Sequence, residues 1–355
     1  MRKKQYFLLF ILLFLTVVAA CSQDEQVTEE EPDENQQTEV EEPVEPAEPE
    51  FENVYPLTGV PTNDDVDNRI VSVMVNNAPE ARPQTGLSKA DMVFEILAEG
   101  SITRLLAMFH SEQPDVVGPV RSARPYYFNL ADDYGALYVH HGAATFIENM
   151  LKAGAADYMN GMYYDNDGHL FKRESFRVAP HNSYALFDGI YEVAEEKGYD
   201  TTGDYEALSF LTEDEVNSIS GDQAQEVSFS YNSSNPVSYT YDSENEVYLR
   251  YNGEDQTVDL DLEDLTTETP VELDNVFILE TYHEVVDDQG RREVDLQSGG
   301  DAYLLQKGKV QELEWKNVDG HIVPFQDGEV VPFVQGKTWV NVIPEDPGLD
   351  GVSIK

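Results

Sequence analysis

Arg69-Ile-Val-Ser-Val-Met-Val-Asn76 decides the fold. Five of its six central residues are β-branched or long apolar, with no polar alternation, the pattern of a strand buried on both faces. Asn77 to Lys89 is a loop broken by Pro79, Pro83 and Gly86. Asp91-Met-Val-Phe-Glu-Ile-Leu-Ala98 repeats the strand pattern, Glu99-Gly100 reads as a turn, and Ile102 to His110 is the hairpin partner. Pro125 opens a helix to Tyr134, since proline suits the first helical turn. Ala136 to His140 is a short strand, and Ala143 to Ala153 is a helix with Ile147, Met150 and Leu151 on one face. A third helix is expected from Tyr184 to Lys197, stopping at Gly198. Strands interleaved with helices predict an α/β layered domain over residues 56–200.

Beyond it the texture changes. Val227–Tyr231, Val237–Tyr241, Val247–Tyr251, Val276–Tyr282, Ala302–Gln306, Gln311–Trp315, Val330–Phe333 and Lys337–Val342 are short strand patterns separated by Asn, Ser, Asp and Gly turns. Residues 201–355 therefore read as a β-rich region, one antiparallel sheet or a small barrel, and the fold class as α+β.

The amino terminus has a different job. Arg2, Lys3 and Lys4 precede an apolar run, Tyr6 to Val17, ending in Val18-Ala19-Ala20-Cys21. Basic residues, an apolar core and small residues before a cysteine form a bacterial signal peptide over residues 1–20, with Cys21 as the lipid attachment point. The run is short for a spanning helix. Cys21 is the only cysteine of the chain, which leaves no intramolecular disulfide and no thiol for catalysis. Residues 22–68 carry 17 Asp or Glu and no Lys or Arg. Self-repulsion and scarce apolar surface make residues 21–55 an acidic, disordered tether. The expected location is the extracytoplasmic face of the cell membrane, lipid-anchored.

The net charge of −47 is uneven. Residues 69–182 hold 10 Lys or Arg against 13 Asp or Glu, whereas residues 183–355 hold 9 against 39. So acidic a chain repels a phosphate backbone, which argues against a nucleic-acid partner. The Asp-rich stretches lack the spacing of a calcium loop, and Asp165-Asn166-Asp167-Gly168 lacks its twelfth-position Glu, so it reads as a turn. No metal set and no cofactor motif is assignable.

The cations gather in the near-neutral part: Arg82, Arg104, Arg121, Arg124, Arg173 and Arg177, with His110, His140, His141, His169 and His181. In Gly118-Pro-Val-Arg121-Ser122-Ala-Arg124-Pro125, two arginines three residues apart sit in a loop bounded by prolines and followed by a helix start. Guanidinium forks, a serine hydroxyl at Ser122 and free helix N–H groups suit phosphate or carboxylate. Arg104 is placed to reach the same spot, and Arg82 and His141 are added as candidate ligand-binding residues. Arg173, Arg177 and His181-Asn182-Ser183 are candidates to line the same cleft. A second reading has Arg121 and Arg124 paired with Asp91, Glu95 or Glu99, simply holding the loop. His140 and His141, adjacent on a strand, point to opposite faces and do not readily share an ion.

Asn76-Asn77-Ala-Pro-Glu-Ala-Arg82-Pro83-Gln84-Thr-Gly86-Leu-Ser88-Lys-Ala-Asp91, Glu99-Gly100-Ser-Ile-Thr103-Arg104, the Arg121 run, His141-Gly142 and Gly336-Lys337-Thr338-Trp339-Val340 together resemble the YerB-like lipoproteins of Gram-positive bacteria. The resemblance implies lipoprotein status and a two-part architecture, and names no reaction. A looser, fold-level resemblance is to extracellular phosphotransferases of the LytR-CpsA-Psr type, in which arginines of a corresponding loop hold a polyprenyl pyrophosphate. Here no Asp follows the first arginine of Pro119-Val-Arg121-Ser-Ala-Arg124. Three functions are consistent with these residues: a lipoprotein binding an anionic ligand or an envelope partner, a phosphotransferase-like enzyme acting on polyprenyl-pyrophosphate-linked wall precursors, and a structural interaction protein.

Overall fold

The structure, a computed structural model, describes residues 51–232 and 235–355. The signal peptide, Cys21 and nearly all of the tether lie outside the described residues. Residues 50–355 form one compact unit that contains both of its hydrophobic clusters, so this segment carries its own core and suits solution experiments. Asn53–Val54 pairs with Pro61–Thr62, so the ordered chain begins ahead of residue 56, where composition placed the end of the tether. No helix among the described residues is long and apolar enough to cross a membrane.

The elements that position the site are, in chain order, β1 (Val71–Asn76), β2 (Met92–Leu97), β3 (Thr103–Phe109), α1 (Pro125–Asp133), β4 (Leu137–His140), α2 (Thr145–Lys152), β5 (Tyr158–Asn160), β6 (Ser183–Leu186) and α3 (Asp188–Lys197). There follow β7 (Glu226–Ser230), β8 (Pro236–Asp242), β9 (Val247–Asn252), β10 (Asn275–Thr281), β11 (Gly300–Gln306), β12 (Lys309–Val318), β13 (His321–Gln326) and β14 (Thr338–Pro344).

One mixed sheet runs through both parts of the chain. Its central order is β13-β12-β11-β10-β14-β2-β3-β1-β4-β5. β14 pairs in parallel with β10 on one side and with β2 on the other. β2, β3 and β1 are antiparallel neighbours, and β1, β4 and β5 are parallel. The alternation of strand side chains sends Val71, Val73, Val75, Leu105 and Ala107 to one face and Met74, Phe94, Ile96, Leu106 and Met108 to the other. On the first face lie α3 and a second sheet containing β7, β8 and β9; on the other lie α1 and α2. Burial on both faces is why β1, β2 and β3 read as unbroken apolar runs.

Two expectations change. The β-rich part is not one antiparallel sheet or a barrel. β7 alternates exposed and buried residues and belongs to the second sheet, whereas β10 and β14 are almost wholly buried and join the main sheet in parallel pairing. The helix expected from Tyr184 starts at Asp188. Ser183 to Ala185 instead pair with Phe171 to Arg173, and Ala185 and Leu186 pair with Val116–Val117.

The two sheets are joined by a buried ion pair. Glu95 of β2 meets Arg250 of β9 at 2.7 Å, both side chains almost fully removed from water. Glu95 also accepts from Trp339 Nε1 at 3.0 Å, Thr103 Oγ1 at 2.8 Å and Asn77 Nδ2 at 3.1 Å. The Arg250 guanidinium lies 4.7 Å from the Trp339 ring centroid. Such a pair is tolerated in a core only when its remaining hydrogen-bonding capacity is met, as it is here on the Glu95 side.

Candidate functional site

The loop from Gly118 to Arg124 is stitched to three strand ends. The Asn76 amide donates to Pro119 O (2.8 Å), the Val120 amide to Ser183 O (2.7 Å), the Arg121 amide to Met74 O (2.7 Å) and the His141 amide to Arg121 O (2.9 Å). The Ala123 amide donates to Gly142 O at 3.0 Å. Gly142 has φ +87°, a conformation that favours glycine, and it turns the chain from β4 towards α2. The loop therefore sits beyond the carboxyl ends of the parallel strands β4 and β5, the side of a parallel sheet where ligand crevices form.

A pocket of about 440 Å³ opens there. Arg121, Ser122, Arg124, His141, Arg173 and Arg291 line it, and no Asp or Glu is among its lining residues. Ala143 and Ala144 complete one wall where α2 begins, and no side chain caps that helix start. Its unpaired amides add positive potential to that of the arginines.

The arginines are not equivalent. Glu99, in the turn between β2 and β3, binds two of them: Arg104 Nη2 donates to Glu99 Oε2 at 2.7 Å, and Arg124 Nη2 contacts Glu99 Oε1. Arg104 also donates to the Ser122 carbonyl, and Arg124 to that of Ala123. Arg173 makes a fork onto Asp165 at 2.7 and 3.1 Å, and Arg291 pairs with Asp287 at 2.5 Å. The Arg121 guanidinium makes no hydrogen bond or ion pair with the described residues. Burial, and then the charge of Arg104, push its proton affinity down, as expected of a cation without a counterion.

Opposite Arg121, His141 Nδ1 lies 2.7 Å from Ser183 Oγ. Gly161 leaves room for the ring, since a Cβ there would come within 2.5 Å of Nδ1. Burial and the nearby Arg173 hold the His141 ring below its ordinary value, so it is neutral at pH 7. His140 points the other way, as expected of a strand neighbour, and stacks on Tyr138 and Tyr158.

The structure thus brings Arg121, Ser122, Arg124, His141, Arg173 and Ser183 together, with Arg104 behind the wall. Arg82 is elsewhere. Its guanidinium is held by Asn77, Oδ1 at 3.0 Å and O at 2.7 Å, and it lines a separate cleft with Gln84 and Asp255. Burial, with Arg250 as the next cause, lowers Arg82 to about 10. Arg177 donates to the carbonyls of Glu80 and Pro83, and His181 Nδ1 lies 2.9 Å from Asn76 Nδ2, so neither lines the pocket. Asp165 to Gly168 form a turn in which Asp167 Oδ1 accepts the amides of His169, Leu170 and Phe171. Arg291 was not legible. It comes from a turn 170 residues after Arg121, and only its Asp287 partner marks it in sequence.

A mixed sheet shared by both parts of the chain, with an arginine pocket at one end of its parallel strands, defines the class of fold. Residues 57–200 match the family model described as "Protein of unknown function (DUF3048) N-terminal domain", and residues 226–340 match the corresponding C-terminal domain. The chain belongs to this family. It is 46% identical over 301 residues to "Putative lipoprotein YerB" of Bacillus subtilis (strain 168), covering 84% of this chain and 88% of that relative. The crystal structure of the YerB protein from Bacillus subtilis superimposes with a TM-score of 0.76 at 44% identity, covering 85% of this chain and 99% of that one.

Proposed function

We propose that this chain is a lipid-anchored extracytoplasmic lipoprotein whose Arg121 pocket binds a phosphate-bearing anion. The name of the Bacillus relative and the Val18-Ala19-Ala20-Cys21 sequence support the anchor. Expressed in a Gram-positive host, the wild-type chain is expected to incorporate labelled fatty acid and the Cys21→Ser chain to incorporate none; an unlabelled wild-type chain would sink the lipid anchor.

The observation that carries the binding reading is Arg121: a half-buried guanidinium in a protein of net charge −47 that pairs with no carboxylate among the described residues. Every other arginine at this pocket has an acid partner. A cation kept free in so acidic a chain is available for a ligand, and its fork suits phosphate oxygens. No carboxylate lines the pocket to repel an anion.

Calorimetric titration of residues 50–355 with inorganic phosphate and pyrophosphate tests this. Arg121→Ala is expected to weaken binding at least about tenfold, a loss of about 1.4 kcal/mol. Its unfolding free energy should stay within about 0.5 kcal/mol of wild type, because the side chain holds nothing in place. A variant that binds normally, or that melts early with unchanged affinity, would remove the proposal.

A further inference from the structure

We infer that the anion held at Arg121 carries a hydrocarbon chain, so that the ligand is a lipid phosphate bound as a single molecule. This rests on the anion reading above and adds what surrounds the pocket. Among the described residues, fourteen large apolar side chains are exposed, and six of them fall between residues 146 and 178. Met162, 62% exposed, lines the pocket itself. Val178, 82% exposed, immediately precedes Ala179 and Pro180, which also line it. On α2, whose start forms a pocket wall, Phe146 and Met150 lie one helical turn apart and both are exposed. Arg291 lies over the Phe146 ring, 5.4 Å from its centroid, which joins this apolar strip to the cationic lining.

Apolar side chains exposed at and next to the lining of a charged pocket are costly to leave in water and mark a binding surface. Methionine side chains are flexible and polarisable, which suits a mobile alkyl chain. The arrangement is a polar socket for a phosphate with an apolar path leading out of it. A bilayer surface is a poorer occupant. The cationic groups line a pocket of about 440 Å³, which takes a single phosphate head and presents no flat basic face to a bilayer.

The test compares decyl phosphate, inorganic phosphate and decanol on residues 50–355 by calorimetry, with phosphatidylglycerol vesicles in a co-sedimentation arm. Decyl phosphate is expected to bind at least about tenfold more tightly than inorganic phosphate, with decanol weaker than either. Met150→Ser combined with Val178→Ser should erase that gain and keep the affinity for inorganic phosphate. Equal affinity for the two phosphates overturns the lipid inference while leaving the anion site standing. If neither phosphate binds, both readings fail. Decanol binding as tightly as decyl phosphate, or vesicle sedimentation that depends on Met150 and Val178, would overturn the single lipid phosphate in favour of an apolar or membrane-docking surface. The wild-type comparison decides the matter even if the double variant is poorly made.

Discussion

Arg250→Met is expected to lower the unfolding free energy by about 3–5 kcal/mol, measured by urea denaturation of residues 50–355. The cost does not come from the lost attraction alone. Glu95 would be left buried between two sheets without its cation, with only the Trp339, Thr103 and Asn77 donors to replace a guanidinium at 2.7 Å. The Glu95→Gln/Arg250→Met double variant removes both charges and should be more stable than Arg250→Met alone. The introduced carboxamide keeps an oxygen for those donors. A single variant within about 1 kcal/mol of wild type would show that the pair does not join the sheets energetically.

Two buried histidines should make the protein less stable as pH falls below about 6.5, an effect opposed in part by the Asp91 carboxyl, which burial pushes up to about 6. Burial pushes His140 and His283 down to about 4, and the Nε2 of each is buried without a partner among the described residues. In the unfolded chain both titrate near 6.5. Between those values the unfolded state binds more protons, so stability is complete above about pH 6.5 and is lost as pH falls towards about 4. Each histidine accounts for about 3 kcal/mol of that loss. His140 faces Tyr138, Tyr158, the Gly142 carbonyl and the Glu148 carboxylate, and only the last two favour its protonated form. His140→Phe preserves the ring stack and should flatten the pH dependence by about half the combined loss. An unchanged slope between pH 6.5 and 4 would show that His140 is not the group responsible.

The parts of the fold legible in sequence are those specified locally. Val71 to Asn76, Met92 to Leu97 and Thr103 to Phe109 are apolar along most of their length, the last two are joined by a short turn, and Pro125 sets the start of α1. The main sheet's continuity was not legible. It depends on β14 pairing with β2, strands almost 250 residues apart, and no local pattern records that register. β13 was missed because Pro324 interrupts it, and proline in a strand removes a ladder donor. At the pocket, residue types pointed to the Arg121 loop, and the pairing expected of Arg124 with Glu99 is present. Arg124 and Arg104 are held by Glu99, and Arg121 is left free. The allocation depends on where one hairpin turn places one carboxylate, which spacing along the chain does not encode.

The position of β14 also constrains how the molecule comes into being. Thr338–Pro344 is made after both of the strands that it joins, β2 and β10. A ribosome releases the amino end first, so β2 has an open hydrogen-bonding edge from early in synthesis, and β10 joins it in waiting from residue 281 until β14 is made. The sheet cannot close on a partial chain. Until Thr338–Pro344 has been added, the two parts of the main sheet have no strand in common.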